Sequence, residues 1–355
     1  MRAATVTDLT CFDEVIDVRS PGEFAEDRVP GAVNLPVLDD AERARVGTLH
    51  KQTSAFEAKK TGAALVARNI AHHLDTWFAD KPKSYRPLVY CWRGGGRSGA
   101  MTHVLQRIGF GAVQLEGGYK AYRRHVVTEL ARLPATFGYR VVCGPTGSGK
   151  SRLLAALADE GAQVLDLEAL AAHRGSLLGA LPGAPQPSQK AFESAVWAAL
   201  TRFDPSRPVF VESESKRIGA LSVPDALIAA MRASPCARIE APLTARVALL
   251  TEDYAHYLAD PDALNARLAH LTELRGRQTV AAWQAMARTG AWPELVAALL
   301  EQHYDPAYAK SLSHNYAQRD GDVALPADSL SATALRDLAR TLLAAQQSDA
   351  ARAAP

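Results

Sequence analysis

The segment Gly144-Pro145-Thr146-Gly147-Ser148-Gly149-Lys150-Ser151 narrows the fold of this chain more than any other stretch. It matches G-x-x-x-x-G-K-[ST] at every position. The apolar run Val141-Val142-Cys143 precedes it, and a helical pattern over residues 152–158 follows. Strand, glycine-rich loop and helix in that order make the phosphate loop (P-loop) of NTPase-like α/β domains. The backbone N–H groups of such a loop, here Gly144, Thr146, Gly147, Ser148 and Gly149, cradle a diphosphate. Lys150 neutralises its charge, and the Ser151 hydroxyl is placed to hold Mg²⁺. Further strands are expected at 163–167, 209–211 and 237–240, and residues 243–343 read as mostly helical.

Carboxylates close two of these strands. Asp166 and Glu168 follow Val164-Leu165, and Glu212 and Glu214 follow Val209-Phe210-Val211. The second pair reads equally well as a metal-supporting element or as a solvated strand end. The usual set for nucleotide hydrolysis (an aspartate closing an apolar strand, a water-positioning residue, an arginine finger) is not legible. The loop is therefore expected to bind a diphosphate without hydrolysing ATP.

A second loop, Tyr90-Cys91-Trp92-Arg93-Gly94-Gly95-Gly96-Arg97-Ser98, joins an apolar strand to a helical segment. Three consecutive glycines let successive N–H groups turn inward. Such a nest at a helix N-terminus binds anions. A cysteine at its mouth faces N–H dipoles and the guanidinium groups of Arg93 and Arg97, all of which favour the thiolate. Cys91 is thus expected to be a low-pKa nucleophile, with Arg93 and Arg97 as catalytic partners. Trp92, Gly94, Gly95, Gly96 and Ser98 complete the anion loop. A lone cysteine ending a core strand is more often inert; the glycines and arginines after it decide for the nucleophile. The Cys91-to-Arg97 spacing, C-x5-R-S, is also the signature of cysteine-dependent phosphatases.

Upstream, Val15-Ile16-Asp17-Val18, Ala32-Val33-Asn34-Leu35 and Val113-Gln114-Leu115 read as further strands. Residues 61–79 carry Leu65, Ile70, Leu74, Trp77 and Phe78 at helical spacing. The repetition indicates a first α/β domain with a largely parallel sheet. Two domains suit 355 residues at about 150 each. The boundaries read as 1–134, then 135–345 with a helical C-terminal region, then a flexible tail at 346–355.

Forty basic against 38 acidic side chains, a net charge of +2, exclude a polybasic nucleic-acid binder but not a local basic patch. The excess of Arg (30) over Lys (10) suits bidentate phosphate recognition, although a GC-rich genome accounts for most of it. Four scattered cysteines make neither a disulfide scaffold nor a zinc site. No apolar stretch reaches the ~18 residues of a membrane span, and the first residues carry no signal-peptide core. A soluble, cytoplasmic protein without a tightly bound cofactor or a certain metal site is expected.

Over roughly residues 5–132 the chain resembles the rhodanese family. Asp17-Val18-Arg19-Ser20-Pro21-Gly22-Glu23-Phe24, followed by Pro30-Gly31-Ala32-Val33-Asn34-Leu35-Pro36, looks like its N-terminal signature. Cys91 stands where that family carries its persulfide, and the resemblance implies that Asp17 and Arg19 support the domain. The Cys91 loop is one residue longer than the usual sulfurtransferase loop, which makes room for a tetrahedral anion. Tyr90 and Trp92 depart from the phosphatase pattern.

A rhodanese-like domain followed directly by a P-loop domain resembles one family, the bacterial tRNA 2-selenouridine synthases, over nearly the whole chain. Further stretches carry this resemblance: Glu42-Arg43-Ala44-Arg45-Val46-Gly47-Thr48, Gly117-Gly118-Tyr119-Lys120-Ala121-Tyr122-Arg123 and Gln186-Pro187-Ser188-Gln189-Lys190. Cys-Trp-Arg-Gly-Gly at 91–95 is characteristic of it. The resemblance implies a second-domain site drawn from Asp166, Glu168, His173, Arg174, Gln189, Lys190, Glu212 and Glu214. It implies that sulfur is replaced by selenium in 2-thiouridine at the tRNA wobble position. Geranyl diphosphate alkylates the sulfur, and selenophosphate supplies selenium, with Cys91 as its carrier. A selenophosphate-producing enzyme is then a candidate partner, and Mg²⁺ a candidate ion. Lys120, Arg123 and Arg124 are candidate tRNA contacts, and Tyr119 and Tyr122 candidate stacking platforms; core tyrosines on a solvated basic helix are the plainer alternative. Two other functions stay open: a phosphatase or arsenate reductase fused to a nucleotide-binding module, and a nucleotide switch carrying an inert rhodanese-like module.

Overall fold

The computed structural model describes residues 4–316 and 321–353. The chain divides into two compact units, one of residues 1–130 with 187–198, the other of residues 131–186 with 199–355.

In the first unit, β1 (Glu14–Asp17), β2 (Val33–Asn34), β3 (Pro87–Tyr90) and β4 (Val113–Gln114) pair in parallel in the order β2-β1-β3-β4. The central β3 is buried along its whole length, as a parallel strand covered on both faces must be. Helices α1 (Pro21–Glu26), α2 (Asp40–Gln52), α3 (Ala55–Asp75), α4 (Gly96–Ile108) and α5 (Gly118–Arg132) complete the fold. Ile16, Val18, Ile70, Val89, Met101 and Leu105 meet in the core, each contributing ~1.5–3 kcal/mol by burial. Helix α3 starts at Ala55, ahead of the apolar pattern, because the Ser54 hydroxyl accepts from the N–H of Phe56 at 3.1 Å and caps it. It ends at Asp75, so Trp77 and Phe78 lie beyond it.

The expected domains 1–134 and 135–345 assign residues 187–198 to the second half; the structure groups them with the first. They carry most of the helix Gln189–Leu200. Trp197 meets the rings of Tyr122 at 5.7 Å and His125 at 5.6 Å, both edge-on, and Glu193 pairs with Arg123. No shift of composition marks this return of the chain.

In the second unit, β5 (Tyr139–Cys143), β6 (Gln163–Leu165), β7 (Val209–Glu212), β10 (Cys236–Glu240) and β11 (Val323–Pro326) form a parallel sheet in the order β11-β10-β5-β7-β6. A hairpin of β8 (Arg217–Ile218) and β9 (Leu221–Ser222) stands apart from it. The helices are α6 (Lys150–Asp159), α7 (Leu167–Ala171), α9 (Asp225–Arg232) and α10 (Leu243–Asp253), followed by a mostly helical stretch, while the intervening α8 (Gln189–Leu200) belongs mostly to the first unit. Val142, Leu153, Leu157, Phe210, Ile239 and Leu335 form the core beneath the sheet. A separate helical core gathers around Leu268 and Trp283. The helix Ala332–Ala353 runs through positions where a flexible tail is expected; residues 354–355 lie outside the described residues. Among the described residues, no helix is long and apolar enough to cross a membrane.

Candidate functional site

In the first unit, Cys91 follows β3 directly and is buried. The Ser98 hydroxyl donates to its Sγ at 3.1 Å. Burial alone would raise the thiol pKa. The Ser98 hydroxyl and the backbone N–H groups of Ser98, Gly95 and Arg93 outweigh it, and the thiol is held below its ordinary value. The glycine nest therefore acts on Cys91 through its amides.

Two parts of the chain brace this loop. Gln114, on β4, donates through Nε2 to the Gly94 carbonyl at 2.6 Å and to Ser98 Oγ at 2.8 Å. The first amides of α5 donate to it as well, Tyr119 to the Cys91 carbonyl at 2.8 Å and Lys120 to that of Trp92 at 3.0 Å. Gly118, at φ +56°, lies so close that a Cβ there would collide with the Cys91 carbonyl. The ring of Trp92 stacks on Tyr119 at 5.2 Å. Gly96 begins α4.

The two arginines divide their roles. Arg93 is exposed on the loop. Arg97 is committed to Glu23, at 2.8 Å, and Arg43 reaches the same carboxylate at 3.0 Å. Burial would raise Glu23; hydrogen bonds and charge from Arg97, with Ser20 and Arg43, hold it lower. Asp17 and Arg19 form a buried ion pair that also anchors the Asp27 carbonyl, at 2.7 Å.

Of the candidate tRNA contacts, Tyr119 and Tyr122 are corrected by the structure. They are 3% and 0% exposed, and the Tyr119 hydroxyl donates to Asp27 at 2.8 Å. Neither ring is available to a base. Arg123 is paired with Glu193, whereas Lys120 and Arg124 are exposed.

In the second unit, the P-loop runs from β5 into α6. Gly147 and Gly149 have φ of +79° and +83°, a region that favours glycine. Lys150 Nζ donates to the Gly144 carbonyl at 2.8 Å. The Gly144 N–H donates to the Tyr308 hydroxyl at 2.6 Å. Arg246, paired with Asp305, donates to the Thr146 carbonyl at 2.9 Å. The Ser148 hydroxyl is buried without a protein partner.

The carboxylates gather on the far side of this loop. Ser151 Oγ donates to Glu168 at 3.0 Å, and the Glu168 N–H donates to Glu212 at 2.8 Å. Burial, with Asp166, Glu214 and Glu168 nearby, raises Glu212 well above its ordinary value. Glu214 is raised to about 8 by burial and by Glu168, against the pull of Lys150. Asp166 caps α7, accepting from Ala169. A cavity of about 380 Å³ lies over the loop, walled by Lys150, Ser151, Glu168, Arg174, Glu214 and Tyr308, among others. The Arg174 guanidinium lies over the Tyr254 ring, at 4.9 Å. His173 Nδ1 accepts from Gly175 at 3.1 Å and shapes the turn. Gln189 and Lys190 are not in this group: they belong to the first unit, where Lys190 pairs with Glu26 at 2.6 Å. No cluster of His, Cys, Asp or Glu among the described residues is arranged to hold a metal by itself.

Sequence reasoning missed Gln114, Tyr308 and the role of Glu23. Gln114 is read only as a strand residue. Tyr308 falls in a helical stretch with no motif.

Comparison with known proteins matches residues 5–125 to the rhodanese-like domain and 138–267 to the tRNA 2-selenouridine synthase AAA domain. A protein of Nitrosomonas europaea named tRNA 2-selenouridine synthase is 39% identical over 244 residues, 68% of this chain and 63% of its own length. One of the same name from Alcanivorax borkumensis is 35% identical over 331 residues, covering 84% of this chain and 89% of its own. A third, from Marinobacter nauticus, is 32% identical over 341 residues, or 87% and 90%. Similarity of this extent spans both loops, and the chain belongs to the tRNA 2-selenouridine synthase family.

Proposed function

We propose that this protein converts 2-thiouridine at the wobble position of tRNA into 2-selenouridine, through an S-geranyl intermediate. One observation carries the reading: a single chain holds both a buried cysteine with a lowered thiol pKa and a P-loop opening on a 380 Å³ cavity. C2 of a thiouridine is a poor electrophile. Transfer of a geranyl group to its sulfur forms an S–C bond as the C–O bond to diphosphate breaks, and turns that sulfur into a leaving group.

The P-loop amides and Lys150 take up the charge of the departing diphosphate. Lys150 turns from its carbonyl partners to do so. Ser151 and Glu168 offer hard oxygen donors that fit Mg²⁺ held largely by substrate phosphates. In the first unit, the amides around Cys91, with the exposed Arg93, receive selenophosphate. The Cys91 thiolate attacks phosphorus, so that an S–P bond forms as the P–Se bond breaks and selenide is released. Selenide attacks C2, the C2–S bond breaks and geranyl thiol leaves, and water frees Cys91 by releasing phosphate. The reading places the protein in the cytoplasm, supplied by a selenophosphate-producing enzyme. The Arg97–Glu23 pair weighs against a phosphatase, in which that arginine has to grip the substrate.

Mass spectrometry of nucleosides from thiolated tRNA, with each cosubstrate omitted in turn, tests this. Cys91→Ser is expected to stop at S-geranyl-2-thiouridine, and Lys150→Ala to lose geranylation. Wild-type selenation by Cys91→Ser would sink this role of Cys91.

A further inference from the structure

A second cavity, about 60 Å³ in volume, adjoins the one over the P-loop. The two share Thr146, Ser176, Leu250, Tyr254 and Tyr304 as walls. The remaining walls are aliphatic or aromatic side chains and Thr251, with Leu178, Tyr257, Trp292 and Leu299 among them. We propose that this cavity holds the hydrocarbon chain of a short prenyl diphosphate whose head group lies in the P-loop. The inference rests on the reading above, and assigns the place of the chain within it.

Three observations carry it. The first is continuity. Gly147 of the P-loop packs so closely on Leu250 that a Cβ there would stand 2.7 Å from Leu250 Cδ1. No side chain separates the phosphate-binding backbone from the apolar wall. The two cavities adjoin along their five shared walls, so a group bonded to a phosphate oxygen lies beside the apolar one. The second is chemistry. A purine base would leave several donors and acceptors without partners against these walls, a penalty that a hydrocarbon does not incur. The third is size. Roughly 10–15 Å³ admits one water, so the cavity suits a short chain and excludes a long one.

The test is titration calorimetry on the full chain with geranyl diphosphate, farnesyl diphosphate, inorganic diphosphate and ATP. Val296 and Leu258 line the apolar cavity but not the phosphate cavity. The wild-type protein is expected to bind geranyl diphosphate about tenfold or more tighter than inorganic diphosphate, since burying each CH₂ adds to affinity, and tighter than farnesyl diphosphate. Val296→Phe fills the cavity. It is expected to remove most of that advantage while inorganic diphosphate binds as before. Leu258→Phe repeats the test should Val296→Phe melt early. Equal binding of geranyl and inorganic diphosphate overturns the proposal. So does unchanged geranyl diphosphate affinity in both variants, or ATP binding that tightens over geranyl diphosphate and weakens in Val296→Phe. Tight geranyl diphosphate binding without any S-geranyl nucleoside would refute the proposed function and leave the cavity assignment standing. Normal S-geranyl product with an unchanged KM in both variants would do the reverse.

Discussion

Cys91 owes its chemistry to a relay of three side chains. Gln114 donates to Ser98 Oγ, and Ser98 donates to the Cys91 sulfur. Removing the Ser98 hydroxyl removes a donor that favours the thiolate. Ser98→Ala should therefore move the alkylation rate of Cys91 by iodoacetamide, followed against pH, toward higher pH. Gln114→Ala should move it less, in the same direction, because the Ser98 hydroxyl remains but loses its orientation. Coincident pH profiles for the three proteins would dismiss the relay. Cys91, its glycines and its arginines were legible because they are contiguous. The partner of Arg97 was not, nor was that of the P-loop: Glu23 is 74 residues from Arg97, and Tyr308 is 164 from Gly144. No local pattern reports contacts of that separation, and only folding pairs Arg97 with a carboxylate instead of leaving it beside the thiolate.

The elements show which signals are local. Strand, loop and helix around Gly144–Ser151 follow from a contiguous motif, and the C-x5-R loop likewise sits between a strand and a helix. Strand β11 carries little apolar pattern, because only one of its four residues is buried. The start of α3 is set by the Ser54 cap, not by periodicity; Ser54→Ala should lower stability by ~1 kcal/mol in chemical denaturation. Helix α5 is the more consequential element. Its start at Gly118 is wedged against Cys91 with a positive φ. Gly118→Ala combines a collision with backbone strain of ~1–3 kcal/mol. It should lower the melting temperature and slow Cys91 alkylation together; a stable variant with an unaltered thiol would contradict the packing.

Across the whole molecule, pH sets the balance of the buried carboxylates. Glu214 titrates near 8 when folded, against an ordinary 4.5. Between those values the folded chain binds more protons than the unfolded one, so stability falls as pH rises from about 4.5 to about 8 and levels above it. Glu214→Gln should flatten that slope and raise the melting temperature at the alkaline end, leaving a residual slope from Glu212. Thermal melts across the range check it, and parallel curves would exclude Glu214 as the source. The return of residues 187–198 is a second whole-chain feature. Trp197→Ala should cost about 3–5 kcal/mol in the unfolding of the first unit, although Trp197 lies beyond its expected boundary. That return also orders events during synthesis. A ribosome releases residues 1–130 well before residues 187–198. Until Trp197 emerges, the nascent first unit lacks the ring that packs against Tyr122. A gene cut at codon 134 would leave that unit permanently in the unfinished state, a client for chaperones.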